Sequence, residues 1–290
     1  MAAEVRSVGQ PVRLHGSIRK RSRLGLLWLL LAIGAIPMLL PFYWMITTAF
    51  KPAEEILRLP VTWWPANPTL KHWIDAFRVA NFGRYFLNSV FVSVSITAGN
   101  LLTSAMAGYL FAKFKFPGRD ALFIFVLSGI MIPFYVPLIP LYGLMVRFNW
   151  DNTYWAVIIP SLYSPLGIFL MRQFIHSIPN DLVDAARVDG ANEFAIFFRV
   201  ILPMCTPALA ALGIFALTLN WNDFLWPFIA LDTPSLWTLP VGLARLRGRF
   251  GTDYGLVMAA ATITVLPLLL FFFSAQKRFI EGITLTGMKG

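Results

Sequence analysis

DAARVDGANEFAIFFRVILPMCTP, residues 184–207, lies between two long charge-free apolar runs. Its pattern is a short helix, a glycine turn and a second helix. Just upstream, Asn180 follows Pro179 and is placed to cap the first helix, whose first turn carries Asp181 and Asp184 toward the positive end of the helix dipole. Leu182, Ala185 and Ala186 give that helix a narrow apolar side of mostly small residues, which permits close approach by another protein. Gly190 stops it where the backbone must turn with positive φ. Asn192 is placed to cap the second helix, and Phe194, Phe197, Phe198 and Ile201 recur at helical spacing, facing lipid or neighbouring helices. Pro203 and Pro207 mark the passage into the next apolar run. An ordinary loop resting on lipid headgroups has no need of caps, a glycine stop and a small apolar face together, so the segment reads as a docking element.

The surroundings are membranous. Of 290 residues, 58% are hydrophobic and 13% charged, and the mean hydropathy is +0.68, outside the range of soluble domains. Charge-free runs of about 20 residues can cross a hydrocarbon core of about 30 Å as helices. Six are present, at 24–50, 85–112, 121–146, 152–171, 200–222 and 255–276. They are apolar on every face and lack the alternation of barrel strands. The expectation is an all-α integral membrane protein with six transmembrane helices, in one membrane domain at 24–275 between a basic arm at 1–23 and a tail at 276–290. The first run is too long for a signal-peptide core and is expected to remain as an anchor.

The net charge of +10 is a matter of orientation. Arg6, Arg13, Arg19, Lys20, Arg21 and Arg23 fall on one side, with three basic residues in the 113–120 turn, three in the 172–199 loop and three in the tail. The opposite side carries fewer: five within 51–84, then Arg147, then Arg245, Arg247 and Arg249. This bias places both termini in the cytoplasm, and attraction to anionic lipid accounts for the charge without nucleic acid. Cys205 is the only cysteine, which excludes an internal disulfide or a thiolate cluster.

The outer loop at 51–84 mixes Trp63, Trp64 and Trp73 with prolines and charges, a composition suited to the membrane interface. Pro133, Pro137, Pro140, Pro160, Pro165 and Pro267 lie inside apolar runs, where each removes a helix hydrogen bond and favours a kink. Polar residues in such runs face protein or water, so Asn88, Asn100, Asn220, Asn222 and Asp223 are candidates for a pathway wall. Trp221 and Trp226 flank Asp223, which combines flat apolar faces with amide and carboxylate groups, the complement of a sugar. An interfacial cap built from the same residues is the alternative. The outer loop at 231–254 reads as a flexible basic stretch carrying Arg245, Arg247 and Arg249 beside Gly248 and Gly251. No internal repeat is present, so six spans constitute half of a pathway and imply a second subunit.

The 184–207 segment resembles the EAA loop of bacterial binding-protein-dependent ABC importer permeases, in which EAA, a glycine, and an Ile-x-Leu-Pro run recur at fixed spacing. Asp184, Ala185, Ala186, Gly190, Val200, Leu202 and Pro203 fall at those spacings, with Asp in place of Glu and Val in place of Ile. The runs NSVFVSVSITAGNLLTSAMAGYLFAKFKFPGR (88–119), NWNDFLWP (220–227) and QKRFIEGITLTGMKG (276–290) resemble the sugar-transporting branch, the type of the maltose importer's G subunit. The resemblance implies an ABC type I importer permease fold in a bacterial plasma membrane. It implies partners as well: a second permease chain, a cytoplasmic ATPase dimer that binds ATP and magnesium, and an extracytoplasmic solute-binding protein. It assigns ATPase coupling to the loop at about 172–206, with Asp184, Ala185, Ala186, Asp189, Gly190, Ala191, Leu202 and Pro203 at its centre. It places Arg245, Arg247 and Arg249 toward the binding protein. The three arginines alternatively fit a phosphorylated solute such as glycerol phosphate.

The chain contains no GxxxxGK[ST] phosphate loop, so ATP chemistry is expected to belong to a partner, and no cofactor is expected in this chain. His15, His72 and His176 lie outside the apolar runs, leaving no cluster of nucleophile, base or metal ligands for an enzyme. A proton-coupled carrier would need ionisable groups in mid-membrane, which are nearly absent.

Overall fold

The computed structural model describes residues 15–249 and 253–287, with side chains described for 27–246 and 253–274. The arm at 1–14 and the last residues of the tail fall outside the described residues, as do the side chains of Arg247 and Arg249. Among the described residues every regular element is helical. The helices are α1 (His15–Ala49), α2 (Lys71–Arg78), α3 (Phe82–Lys113), α4 (Arg119–Ser128), α5 (Leu138–Arg147), α6 (Tyr154–Ile158) and α7 (Pro165–His176). After them come α8 (Asn180–Val188), α9 (Glu193–Ile196), α10 (Thr206–Trp221), α11 (Leu225–Ala230), α12 (Leu239–Arg249) and α13 (Tyr254–Gly287). Short helical turns join several of them.

Three stretches are long and apolar enough to cross a membrane unaided: Leu27–Ala49 in α1, the whole of α3, and Tyr254–Ser274 in α13. Two bent pairs are long and apolar enough only when each is taken together, α6 with its following turn into α7 at 40°, and the helix from Glu193 to Met204 into α10 at 77°. The third apolar run, expected as one span, is broken. It forms α4, a 3-10 turn at Gly129–Met131, an extended Ile132 and then α5. The cause is Pro133, which pushes the residue before it out of the helical region, followed by Pro137 at the start of α5. Pro165 likewise opens α7 at its first turn, where a missing N–H is harmless, with Ser164 capping by accepting the Gly167 N–H at 3.1 Å. Pro37, Pro41 and Pro267 remain inside continuous helices.

The bundle centres on α3, which packs against α7, α10 and α12. Gly108 is what lets α3 and α7 touch closely: a Cβ there would sit 2.8 Å from the Arg172 backbone nitrogen and from Met171. One apolar cluster fills one half of the bundle, with Tyr85, Trp221, Trp226, Leu239 and Leu256. A second fills the half that includes the 184–207 segment, with Tyr109, Met171, Ile175, Val183, Ile196, Phe197 and Ile201. Helix α1 packs on α13 but exposes its apolar side chains between Leu27 and Ile46, the condition of a lipid-facing helix. The loop after α1 is pinned by Glu55, whose carboxylate accepts the Ala66 N–H at 3.0 Å and the Thr62 hydroxyl at 2.8 Å, holding its pKa below the ordinary carboxylate value. Burial lowers the pKa of neighbouring Lys51, whose ammonium donates to the Thr62 carbonyl over the Trp44 ring.

Candidate functional site

The 184–207 segment folds as a hairpin of two helices. Helix α8 ends in a Schellman turn: Gly190 has φ +82°, its N–H donates to the Arg187 carbonyl at 3.0 Å, and the Ala191 N–H donates to the Ala186 carbonyl at 3.0 Å. Ala186 and Ala191 close the turn against the second apolar cluster. Asn192 caps α9 by accepting the Ala195 N–H at 2.8 Å. Asn180, expected as a cap, is instead the first residue of α8 and caps nothing. Its side-chain oxygen accepts from Lys113 of α3 at 2.8 Å, and Pro179 occupies the capping position.

The buried side of α8 is Val183, with Ala186 partly covered. Leu182, Asp184, Ala185, Val188 and Asp189 point outward, and Val188 is 88% exposed. An apolar-and-acidic face is therefore exposed, while Ala186 belongs to the inner side. Of the four aromatic and aliphatic positions expected on the second helix, Phe197 and Ile201 are buried in the bundle while Phe194 and Phe198 are exposed. The chain passes through a π-type turn at Phe197–Ile201, a short helical stretch at Leu202–Met204 containing Pro203, and then bends at Cys205 into α10.

A charge network, absent from the sequence reading, holds this hairpin. Arg187 donates to Asp184 at 3.0 Å and to Glu193 at 2.9 Å, and the Tyr109 hydroxyl of α3 donates to the other oxygen of Glu193 at 2.7 Å. The hydrogen bond to Glu193 raises the pKa of Arg187 above its already high ordinary value. One turn further along α3, Lys113 donates to the Ile178 carbonyl and to Asn180. The basic turn at 113–120, read from sequence as serving orientation, thus begins with a clamp on the hairpin. The available signals were the i, i+4 spacing of Tyr109 and Lys113 at the end of an apolar run, and the opposite charges of Arg187 and Glu193 across a glycine turn.

The residues proposed for a pathway wall divide. Asn88 is buried and spends its amide donors on the Ser235 and Trp237 carbonyls, each at 2.9 Å. Asn220 donates to Thr97 of α3 at 3.2 Å. Trp221 and Trp226, expected to present flat faces beside Asp223, are both buried. Their indole nitrogens donate to the Thr264 carbonyl at 3.1 Å and the Ala156 carbonyl at 2.9 Å. The first apolar cluster captures both rings, so their faces are not presented beside Asp223. Asn222 stays exposed and Asp223 half-buried where α10 ends. The stretch carrying the arginines, expected to be flexible, is the helix α12, and the Arg245 guanidinium stacks 4.4 Å over Phe228 and 5.2 Å from Trp237. Among the described residues no cluster of metal-binding side chains is present.

Comparison with known proteins agrees with this architecture. The arabinooligosaccharides transport system permease protein AraQ of Halalkalibacterium halodurans is 38% identical, over 93% of this chain and 100% of the relative. The diacetylchitobiose uptake system permease protein NgcG of Streptomyces coelicolor is 34% identical, over 88% of this chain and 85% of the relative. The lactose transport system permease protein LacG of Rhizobium radiobacter is 33% identical, over 87% and 92%. The fold is that of a chain from a bacterial ABC transporter involved in the import of the acidic polysaccharide alginate, with a TM-score of 0.80 at 20% identity, covering 93% of this chain and 100% of that one. Residues 99–284, from the middle of α3 into α13 and including the whole hairpin, match the binding-protein-dependent transport system inner membrane components. This chain belongs to that family.

Proposed function

We propose that the chain is a permease subunit of an ATP-driven importer for a carbohydrate, forms half of the translocation pathway, and docks on a cytoplasmic ATPase dimer through the α8–α9 hairpin. The observation that carries the docking is the hairpin itself. It is capped, turned at a left-handed glycine and clamped to α3, yet it leaves Leu182, Asp184, Ala185, Val188 and Asp189 exposed. A rigid element with an uncovered face suits mechanical engagement of another protein. Carbohydrate as cargo is supported by the relatives named for arabinooligosaccharides, diacetylchitobiose and lactose.

In this reading the membrane is crossed six times, by α1, α3, the broken pair α4 and α5, the bent pair α6 and α7, α10, and α13, with both termini in the cytoplasm on the side richer in Lys and Arg. The arm at 1–23 and the tail at 276–290 flank the permease domain. A second permease chain supplies the other half of the pathway, ATP and magnesium are held by the ATPase, and a solute-binding protein meets the outer face near α12. A binding protein is supported by membership of a family of binding-protein-dependent transport components. ATP-driven closure of the ATPase dimer displaces the hairpin, and the bundle shifts between inward- and outward-facing states.

Reconstitution tests this. Uptake of a labelled oligosaccharide into proteoliposomes is expected only when the chain is present with a second permease, an ATPase, a binding protein and ATP. Solute flux through the chain reconstituted alone would mean a channel or secondary carrier.

A further inference from the structure

We propose that helix α3 transmits the movement of the docking hairpin across the membrane to the outer segment 235–246, with Tyr109 and Lys113 as positioning residues at its cytoplasmic end. The inference rests on the docking reading above and adds the route. The hairpin continues covalently into α10, but that junction is a poor lever. The axis turns by 77° at Cys205, between Pro203 and Pro207, which have no N–H to donate across the bend. A push on α8 is absorbed there by rotation about the bend.

Helix α3 has the opposite character. It runs 32 residues without proline, about 48 Å at the helical rise. At its cytoplasmic end it grips both limbs of the hairpin. Lys113 holds the entry to α8 through Ile178 and Asn180, and Tyr109 holds α9 through Glu193. Glu193 and Asp184 are joined by Arg187, so the exposed acid of α8 is linked to Tyr109 through an unbroken chain of charged hydrogen bonds. The Tyr109 ring is buried, with Phe197 at 5.7 Å and Phe114 at 5.4 Å between ring centres.

The far end of α3 is bonded just as directly. Asn88 donates to the Ser235 and Trp237 carbonyls, Ser89 accepts the Leu239 N–H at 2.7 Å, and Arg84 donates to the Ser235 carbonyl at 3.3 Å. Gly242 of α12 lies directly against the Tyr85 ring, leaving no room for a side chain. The outer segment also carries Trp237, on which Arg245 stacks. Axial displacement of α3 therefore shifts the outer segment with it.

The test uses the full complex in proteoliposomes and reads the ratio of solute taken up to ATP hydrolysed, with copurified ATPase as the measure of assembly. Tyr109→Phe combined with Lys113→Met is expected to lower the ratio about tenfold, within the usual span of coupling between sites, and Lys113→Arg to restore most of the loss due to Lys113. Asn88→Leu, about 32 Å away along the helix, is expected to lower the ratio also. Combining it with Tyr109→Phe should add little, because both interrupt one route. An unchanged ratio, or effects of the two ends that multiply independently, overturns transmission through α3. A fall in uptake matched by an equal fall in copurified ATPase also overturns it, since the contacts then serve docking alone. If the wild-type chain retains no ATPase, it is the docking reading that fails.

Discussion

Replacing Gly190 tests whether the hairpin depends on a backbone conformation or on space around it. Gly190 has φ +82°, and a Cβ built on it meets nothing within 4 Å. A larger residue therefore clashes with no neighbour, and the whole penalty is conformational. Holding a side-chain-bearing residue in the left-handed region costs roughly 1–2 kcal/mol, with valine at the upper end because it is β-branched. Asparagine, which accepts that region at helix ends, costs less. At about 1.4 kcal/mol per factor of ten, Gly190→Val raises the opening of the turn by roughly 5- to 30-fold. Hydrogen exchange of the peptide spanning 186–193 reads this directly, since the Gly190 and Ala191 amides donate to Arg187 and Ala186. Exchange is expected to speed up by about tenfold in Gly190→Val and by only about two- to threefold in Gly190→Asn, with uptake by the complex falling in the same order. Equal exchange in valine and asparagine variants would refute the conformational argument, and wild-type exchange in both would remove the Schellman turn from the account.

Gly108 is the converse case, limited by space: Gly108→Val drives side-chain atoms against the Met171 and Arg172 backbone. Forced separation of α3 from α7 should cost about 1–3 kcal/mol or more, seen as a lower melting temperature in detergent, whereas Gly143→Ala, inside α5 with nothing within 4 Å, should melt at or slightly above wild type. Asn192→Ala removes the cap of α9 and is expected to destabilise the hairpin by about 1 kcal/mol, read as faster exchange at Ala195. Glu55 gives a pH dependence. Its folded pKa lies below the unfolded value because the Ala66 amide and Thr62 hydroxyl bind the carboxylate. Its contribution is thus present above the unfolded pKa and lost as pH falls through the folded one. On acidification below about pH 4 the wild type should lose more thermal stability than Glu55→Gln, and identical acid profiles would contradict this.

Much of the hairpin was legible in the sequence because its determinants are local. A left-handed turn wants glycine, an N-cap wants a short polar side chain, and an acidic first turn suits the helix dipole. Gly190 and Asn192 sit where those preferences put them. Asn180 did not follow, because Lys113, far away in sequence, drew its side chain elsewhere. The same limit applied to Trp221 and Trp226. Their proximity to Asp223 in sequence made a sugar-facing cluster plausible, but a large indole beside a bundle gains more by burial, and each found a carbonyl for its N–H inside. The arginine-bearing stretch gave no helical signal strong enough to override its glycines, yet packing of Leu239, Val241 and Leu246 made it a helix.

Composition alone determined that this chain is helical and membrane-embedded, since transfer of apolar runs into lipid needs no knowledge of neighbours. Which prolines break a helix was decided only by the tertiary structure. Pro37, Pro41 and Pro267 stay within continuous helices, whereas Pro133 interrupts its run and Pro137 and Pro165 sit where new helices begin. The residue is the same in each case. Its local preference does not distinguish a first turn, where the missing N–H is harmless, from a helix interior, where one carbonyl loses its partner. The clamp of Tyr109 and Lys113 on the hairpin is tertiary for the same reason, because hydrogen bonds between residues 65 to 84 positions apart exist only once α3, α8 and α9 have packed.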